Sequence, residues 1–198
     1  MEKLAQNKTA PGRYAMLDEL RGLDLVSMML YHACWDLAFL FGVEMKWYAA
    51  TPGHLWQQSI CWVFILLSGF CVPLGHHTLR RGATVFGAGV LVTAVTLLFM
   101  PEDRVVFGVL TLLGSARRLT GLLEPLLKKV PPAAGLAVSA VLFALTYHAA
   151  DHYLGIGALR LALPESLYAN YFTAYLGFYP CWFYSTDYFP LVPWLFLF

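Results

Sequence analysis

The chain of 198 residues is 59% hydrophobic and 13% charged, with a net charge of +1 and a mean hydropathy of +0.62. Soluble domains carry about 25% charged and about 45–50% apolar residues, so the composition excludes an ordinary soluble domain. The near-neutral balance also excludes nucleic acid, or any strongly acidic macromolecule, as a partner of the whole surface.

A helix needs ~20 mostly apolar residues to cross a bilayer, and the apolar residues fall into blocks of that length. The polar N-terminal stretch MEKLAQNKTAPGRYAMLDELRG has no small-residue cleavage site, so the first apolar helix is expected to stay on the protein as a signal anchor. Spans are predicted over residues 22–43, 55–75, 82–100, 105–127 and 133–150. The fourth contains Arg117 and Arg118, whose long stems reach headgroups if the helix runs on to Leu127. Residues 154–184 are rich in Tyr, Phe and Trp and carry Pro180; such rings collect at the interface, so this stretch is predicted to be interfacial or re-entrant. A last helix is predicted from near Asp187. It stops within the sequence after about eleven residues, fewer than a span requires, so a C-terminal truncation is expected. The predicted fold is therefore an all-α, polytopic transmembrane bundle forming one membrane-embedded domain over residues 1–198, with about five full spans and a truncated sixth.

Basic residues set the orientation. With the N terminus inside, the inner segments hold Lys3, Lys8, Arg13, Arg21, Arg80, Arg81, Arg117, Arg118, Lys128 and Lys129, against Lys46, Arg104 and Arg160 outside. That segregation fits the positive-inside rule and predicts a multi-pass plasma-membrane protein whose loop over residues 44–56 is external.

Charged groups in a spanning helix are costly, and each marks a functional hypothesis. On an ideal helix Arg21 falls within about 20° of His32, and Asp18 and Asp36 within about 40°. Asp36, one turn on, has the spacing to hold a ring nitrogen of His32. This stripe reads as an imidazole base in a protein-lined cavity with a cation near its mouth; the bland alternative is a packing network in which Asp18 and Arg21 simply pair. His54 follows Pro52-Gly53 on the outer side, beside Trp47, Tyr48 and Trp56, which could roof a pocket. His76 and His77 adjoin Arg80 and Arg81 in a basic edge facing lipid or a nucleotide. His148 and His152 lie four apart near Asp151, but two histidines make a weak metal site. The cysteines (34, 61, 71 and 181) show no metal-ligand spacing, and no metal is expected.

The run RYAMLDELRGLDLVSMMLYHACWDL resembles the opening helix of membrane acyltransferases, with Arg13, Asp18, Arg21-Gly22 and His32 in the family pattern. With VFILLSGFCVPLG, VVFGVLTLLGSA and STDYFPLVPW, it looks most like the bacterial branch related to heparan-alpha-glucosaminide N-acetyltransferase. The resemblance implies transfer of an acyl group, typically acetyl, from cytoplasmic acyl-coenzyme A to a sugar or glycan hydroxyl or amine on the far side. It implies a histidine as base or acyl carrier, mapped to His32 and more loosely to His54. Asp36 then orients the base, Arg21 and Asp18 serve the donor, and Trp35, Trp56 and Asp187 bind the acceptor. Relatives often have a histidine where this chain has Thr111. Besides donor and acceptor, the bilayer is the expected partner, and self-association is left open. A small-molecule or proton-coupled carrier, with His32 and Asp36 as relay, is the alternative; the paired broken helices of many carriers are missing from the sequence.

Overall fold

The computed structural model describes residues 14–198; Lys3, Lys8 and Arg13 lie outside the described residues. The chain divides into two compact units, one ending at Leu67 and one beginning at Ser68.

In the first unit, α1 (Ala15–Trp35) passes without a break into a π-helical turn, Asp36–Leu40. The widened turn shows in Phe41 N–H donating to Asp36 O, 3.1 Å, five residues back. After a short connection α2 spans Thr51–Phe70, its last residues already in the second unit. The packed side of α1 is a seam of Leu17, Arg21, Asp24, Met28, Tyr31, Trp35 and Ala38, alternating steps of four and three as one face of a helix requires. Its other sides are exposed and apolar, Met29 and Leu23 among them. Gly53, in the first turn of α2, is required because a Cβ there would strike the carbonyl of Tyr48.

The second unit is built on the antiparallel pair α3 (Thr78–Phe99) and α4 (Val109–Leu127). They approach closely because glycines line the seam. A Cβ at Gly82 would meet Arg118 and the Gly114 carbonyl, one at Gly89 would meet Thr111, and one at Gly114 would meet the backbone of Phe86. Small residues of this kind let helix backbones pack where no hydrophobic force acts between them. Thr111 through Ala116 are buried in succession. Helix α5 (Pro132–Thr146) leads through a 3-10 turn, Ala149–Asp151, into an antiparallel hairpin of β1 (Tyr153–Ile156) and β2 (Leu159–Ala162). Two short helices follow, α6 (Tyr171–Leu176) and α7 (Leu191–Trp194). Tyr175 donates to Ser115 Oγ, tying α6 to α4, and the Phe143 and Trp194 rings meet edge to face at 5.9 Å.

The structure corrects the all-α expectation at the hairpin, which falls in the stretch predicted to be interfacial. There Gly155 at φ +121° and Gly157 at φ +59° take backbone conformations that side chains resist. The helix predicted near Asp187 is reduced to the four residues of α7, with Pro190 before it and Pro193 inside limiting its growth.

Helix α4 does continue to Leu127. On length and apolarity, three segments can cross a membrane: Ala15–Leu40, Thr78–Phe99 and Pro132–Asp151. Helices α2 and α4 are of similar length, but His54, Gln57 and Gln58 dilute one and Arg117, Arg118 and Glu124 the other. The outward faces of the apolar helices carry large hydrophobic side chains, such as Leu98, Phe99 and Leu136. Water penalises such surface and hydrocarbon does not: this is a membrane protein.

Candidate active site

The first-helix stripe lies about 70° around the axis from the packed seam. Arg21 sits on both, and it donates from its guanidinium to Asp18 Oδ1 at 3.4 Å, with both side chains half-exposed. His32 and Asp36 are exposed, against the expectation that the whole stripe faces inward. The expected hydrogen bond between them does not form. The pair straddles the point where α winding gives way to π winding, and two exposed side chains gain little from pairing. The His32 ring instead stands edge-on to Tyr31, 6.1 Å between centroids.

Around Tyr31 the unit gathers an aromatic cluster. Tyr48 lies tilted against Tyr31 at 4.8 Å and donates to the Tyr31 carbonyl at 3.2 Å. Trp56 meets Tyr31 edge-on at 5.4 Å, stacks with Trp47 at 6.1 Å, and donates its indole N–H to Ser27 Oγ at 2.8 Å. Trp35 packs on Phe39 at 5.3 Å, and Phe39 on Tyr48 at 6.4 Å. Burial, reinforced by Tyr31, pushes the Tyr48 phenol well above its ordinary range, so it stays a donor throughout the neutral range. Trp47, Tyr48 and Trp56 therefore do assemble. His54 opens α2 rather than sitting in a loop, and its ring is exposed. Among the described residues, neither His32 nor His54 makes a side-chain hydrogen bond.

Asp187 belongs to a different construction. Its Oδ2 accepts from Val109 N–H at 3.0 Å, capping α4 from a distant part of the chain. Ser185 Oγ accepts from Val106 N–H at 2.9 Å and donates to the Asp187 carbonyl at 2.9 Å. Thr186 N–H donates to Arg104 O and Phe189 N–H to Phe107 O. Gly108 is needed here, since a Cβ would meet the Asp187 carboxylate. Two of the stretches that carry the resemblance, VVFGVLTLLGSA and STDYFPLVPW, are thus laced together. Thr111 is buried and donates to the Gly108 carbonyl at 2.7 Å.

One buried group escaped the sequence reading. Asp24 is the buried charged residue of α1, 7% exposed, and among the described residues no hydrogen bond or ion pair reaches its carboxylate. Its signal is present, an acid in the middle of an apolar run, but it lies about 80° around the helix from His32 and so outside the stripe. The histidines near Asp151 do not act as a pair: His148 Nδ1 lies 2.8 Å from Asp151 Oδ2, and its ring stacks on Tyr153 at 4.8 Å. His152 stacks on Tyr168 at 3.7 Å. Among the described residues no group of three metal-ligating side chains converges.

Neither the curated proteins nor the solved structures include a significant match to this chain. The family model described as heparan-alpha-glucosaminide N-acetyltransferase, catalytic, matches residues 13–198. That match takes in the first-helix motif, the α3–α4 pair and the laced segment after α6, and the chain belongs to this family of membrane acetyltransferases.

Proposed function

We propose that the protein moves an acyl group, acetyl in the simplest case, from acyl-coenzyme A bound at the cytoplasmic side to a sugar or glycan hydroxyl or amine at the outer side of the plasma membrane. The observation that carries the reading is the family match over nearly the whole chain. The N terminus is cytoplasmic, and α2 and α4 complete five spans with the three apolar segments. Arg21 and Asp18, with the basic residues of the inner face, attract and place the anionic donor. Trp35 and Trp56 offer ring faces to the acceptor, and Asp187 shapes its site by fixing the start of α4.

In the chemical step an imidazole takes the proton from the acceptor as its oxygen or nitrogen attacks the thioester carbonyl. The carbon–sulfur bond breaks, and the coenzyme thiolate receives the proton back from the imidazolium. Alternatively the imidazole attacks first and carries the acyl group to the acceptor. His32 carries the family motif. His54 stands beside the aromatic cluster on the acceptor side, and Asp36 lies one turn on from His32. The test is coenzyme A release from acetyl-coenzyme A by the purified chain and its variants. His32→Ala abolishes release and His54→Ala reduces it strongly, since loss of a general base costs roughly 10²–10⁴ in rate. Full activity in the double variant would end the imidazole mechanism.

A further inference from the structure

We propose that a cavity in the second unit binds a phosphate-bearing anion, supplied either by the nucleotide end of the acyl donor or by an anionic lipid headgroup. In its donor form the proposal rests on the acyl-coenzyme A reading above. The cavity, ≈ 810 Å³, opens between the α2–α3 connection and the second half of α4. His76, His77 and Arg80 line one side, and Thr120, Glu124 and Lys128 the other.

The charges converge on one sign. Glu124 is the carboxylate side chain of the lining, and its Oε1 lies 2.6 Å from Lys128 Nζ, so the two largely cancel. Among the described residues Arg80, His76 and His77 have no acid partner and no side-chain hydrogen bond. Beyond the lining, the Arg81 guanidinium lies over Gly75, 3.1 Å from where a Cβ would stand.

The backbone adds donors to these charges. Helix α3 starts at the cavity, and His77, held at φ +57°, precedes it without giving a side-chain cap. The first-turn amides therefore lack a side-chain acceptor, and a helix of 22 residues directs its positive end at the same space. Guanidinium, imidazoles and uncapped amides together give the cavity donors, which suit oxygens bearing negative charge.

The experiment uses two probes on the full chain, with Arg80→Gln and Glu124→Gln variants confirmed monodisperse. Adenosine 3′,5′-bisphosphate, which has the phosphates but no acyl arm, is titrated into detergent-solubilised protein by calorimetry. Retention of phosphatidylglycerol against phosphatidylcholine through delipidation is read by native mass spectrometry. If the nucleotide is the source, Arg80→Gln weakens its binding at least about tenfold through loss of a charge-assisted contact. Glu124→Gln tightens it, and lipid retention does not change. If lipid is the source, Arg80→Gln abolishes the preference for phosphatidylglycerol while nucleotide binding is unmoved. If neither ligand responds to either variant, the site is overturned. A wild type that binds the nucleotide through Arg80 yet releases no coenzyme A from acetyl-coenzyme A overturns the acyl-transfer reading and keeps the site. Turnover with KM unmoved in Arg80→Gln, and no lipid effect, overturns the site and keeps the reading.

Discussion

At the scale of single residues, Asp24 and Asp187 show two fates of a carboxylate in an apolar protein. Asp187 is matched by a backbone donor at 3.0 Å. Asp24 is buried on the α1 seam with no partner among the described residues. A buried charge without a partner costs stability, and its removal relieves that cost. Asp24→Asn is therefore expected to leave the melting temperature of the purified protein unchanged or raised at pH 7–8. A loss of more than ~1 kcal/mol in denaturant unfolding would show that the carboxylate is engaged after all. Asp187→Ala should destabilise by about 1–2 kcal/mol, the range for losing a carboxylate cap, and Asp187→Asn should recover most of it; both are read by thermal unfolding. The sequence disclosed the residue types but not these fates. The Asp187 partner lies 78 positions away, beyond any local spacing argument. His32–Asp36 had the right spacing, but the helix changes its winding at Asp36 and neither side chain is driven inward.

At the scale of elements, the α3–α4 pair depends on what its glycines leave out. Gly114 faces the backbone of Phe86, and a methyl there has no room. Gly114→Ala should force the helices apart at about 1–3 kcal/mol, the cost of overpacking a tight contact. Gly87, also on α3, has nothing within 4 Å of its Cβ position. Gly87→Ala should be neutral or gain up to about 1 kcal/mol from helix propensity. The comparison is made by thermal unfolding of the two variants in one detergent, and equal effects would remove the packing explanation. The helices themselves were legible because apolar runs of spanning length admit few readings. The hairpin was not: β1 and β2 are only four residues each, too short for alternation to stand out against a background already rich in aromatics.

At the scale of the molecule, membrane character follows from composition, and the proposed orientation rests on where the basic residues fall. With the N terminus and the loop around His76 inside, and the connection around Ala50 outside, single-cysteine labelling in a cysteine-free background gives opposite results at the two loops. Position 50 should react with an impermeant reagent on intact cells, and position 76 only after lysis. The reverse pattern would invert the proposed donor and acceptor sides together. The family was legible in four short stretches. Their mutual placement was less so: two of them, far apart in sequence, bind each other through Ser185, Asp187 and the backbone of residues 104–109.

That lacing has a consequence for biogenesis. Ribosomes deliver the chain from its N terminus, so residues 105–127 leave the exit tunnel while Ser185 and Asp187 are still untranslated. Until those residues arrive, the start of α4 lacks the donor–acceptor contacts that close it at Val106 and Val109. The helix pair can meet early through its glycines, but its upper end stays unsealed for nearly eighty further residues of synthesis. Insertion and closure are then separate events, and the order of the genetic message puts the clasp after the parts it fastens.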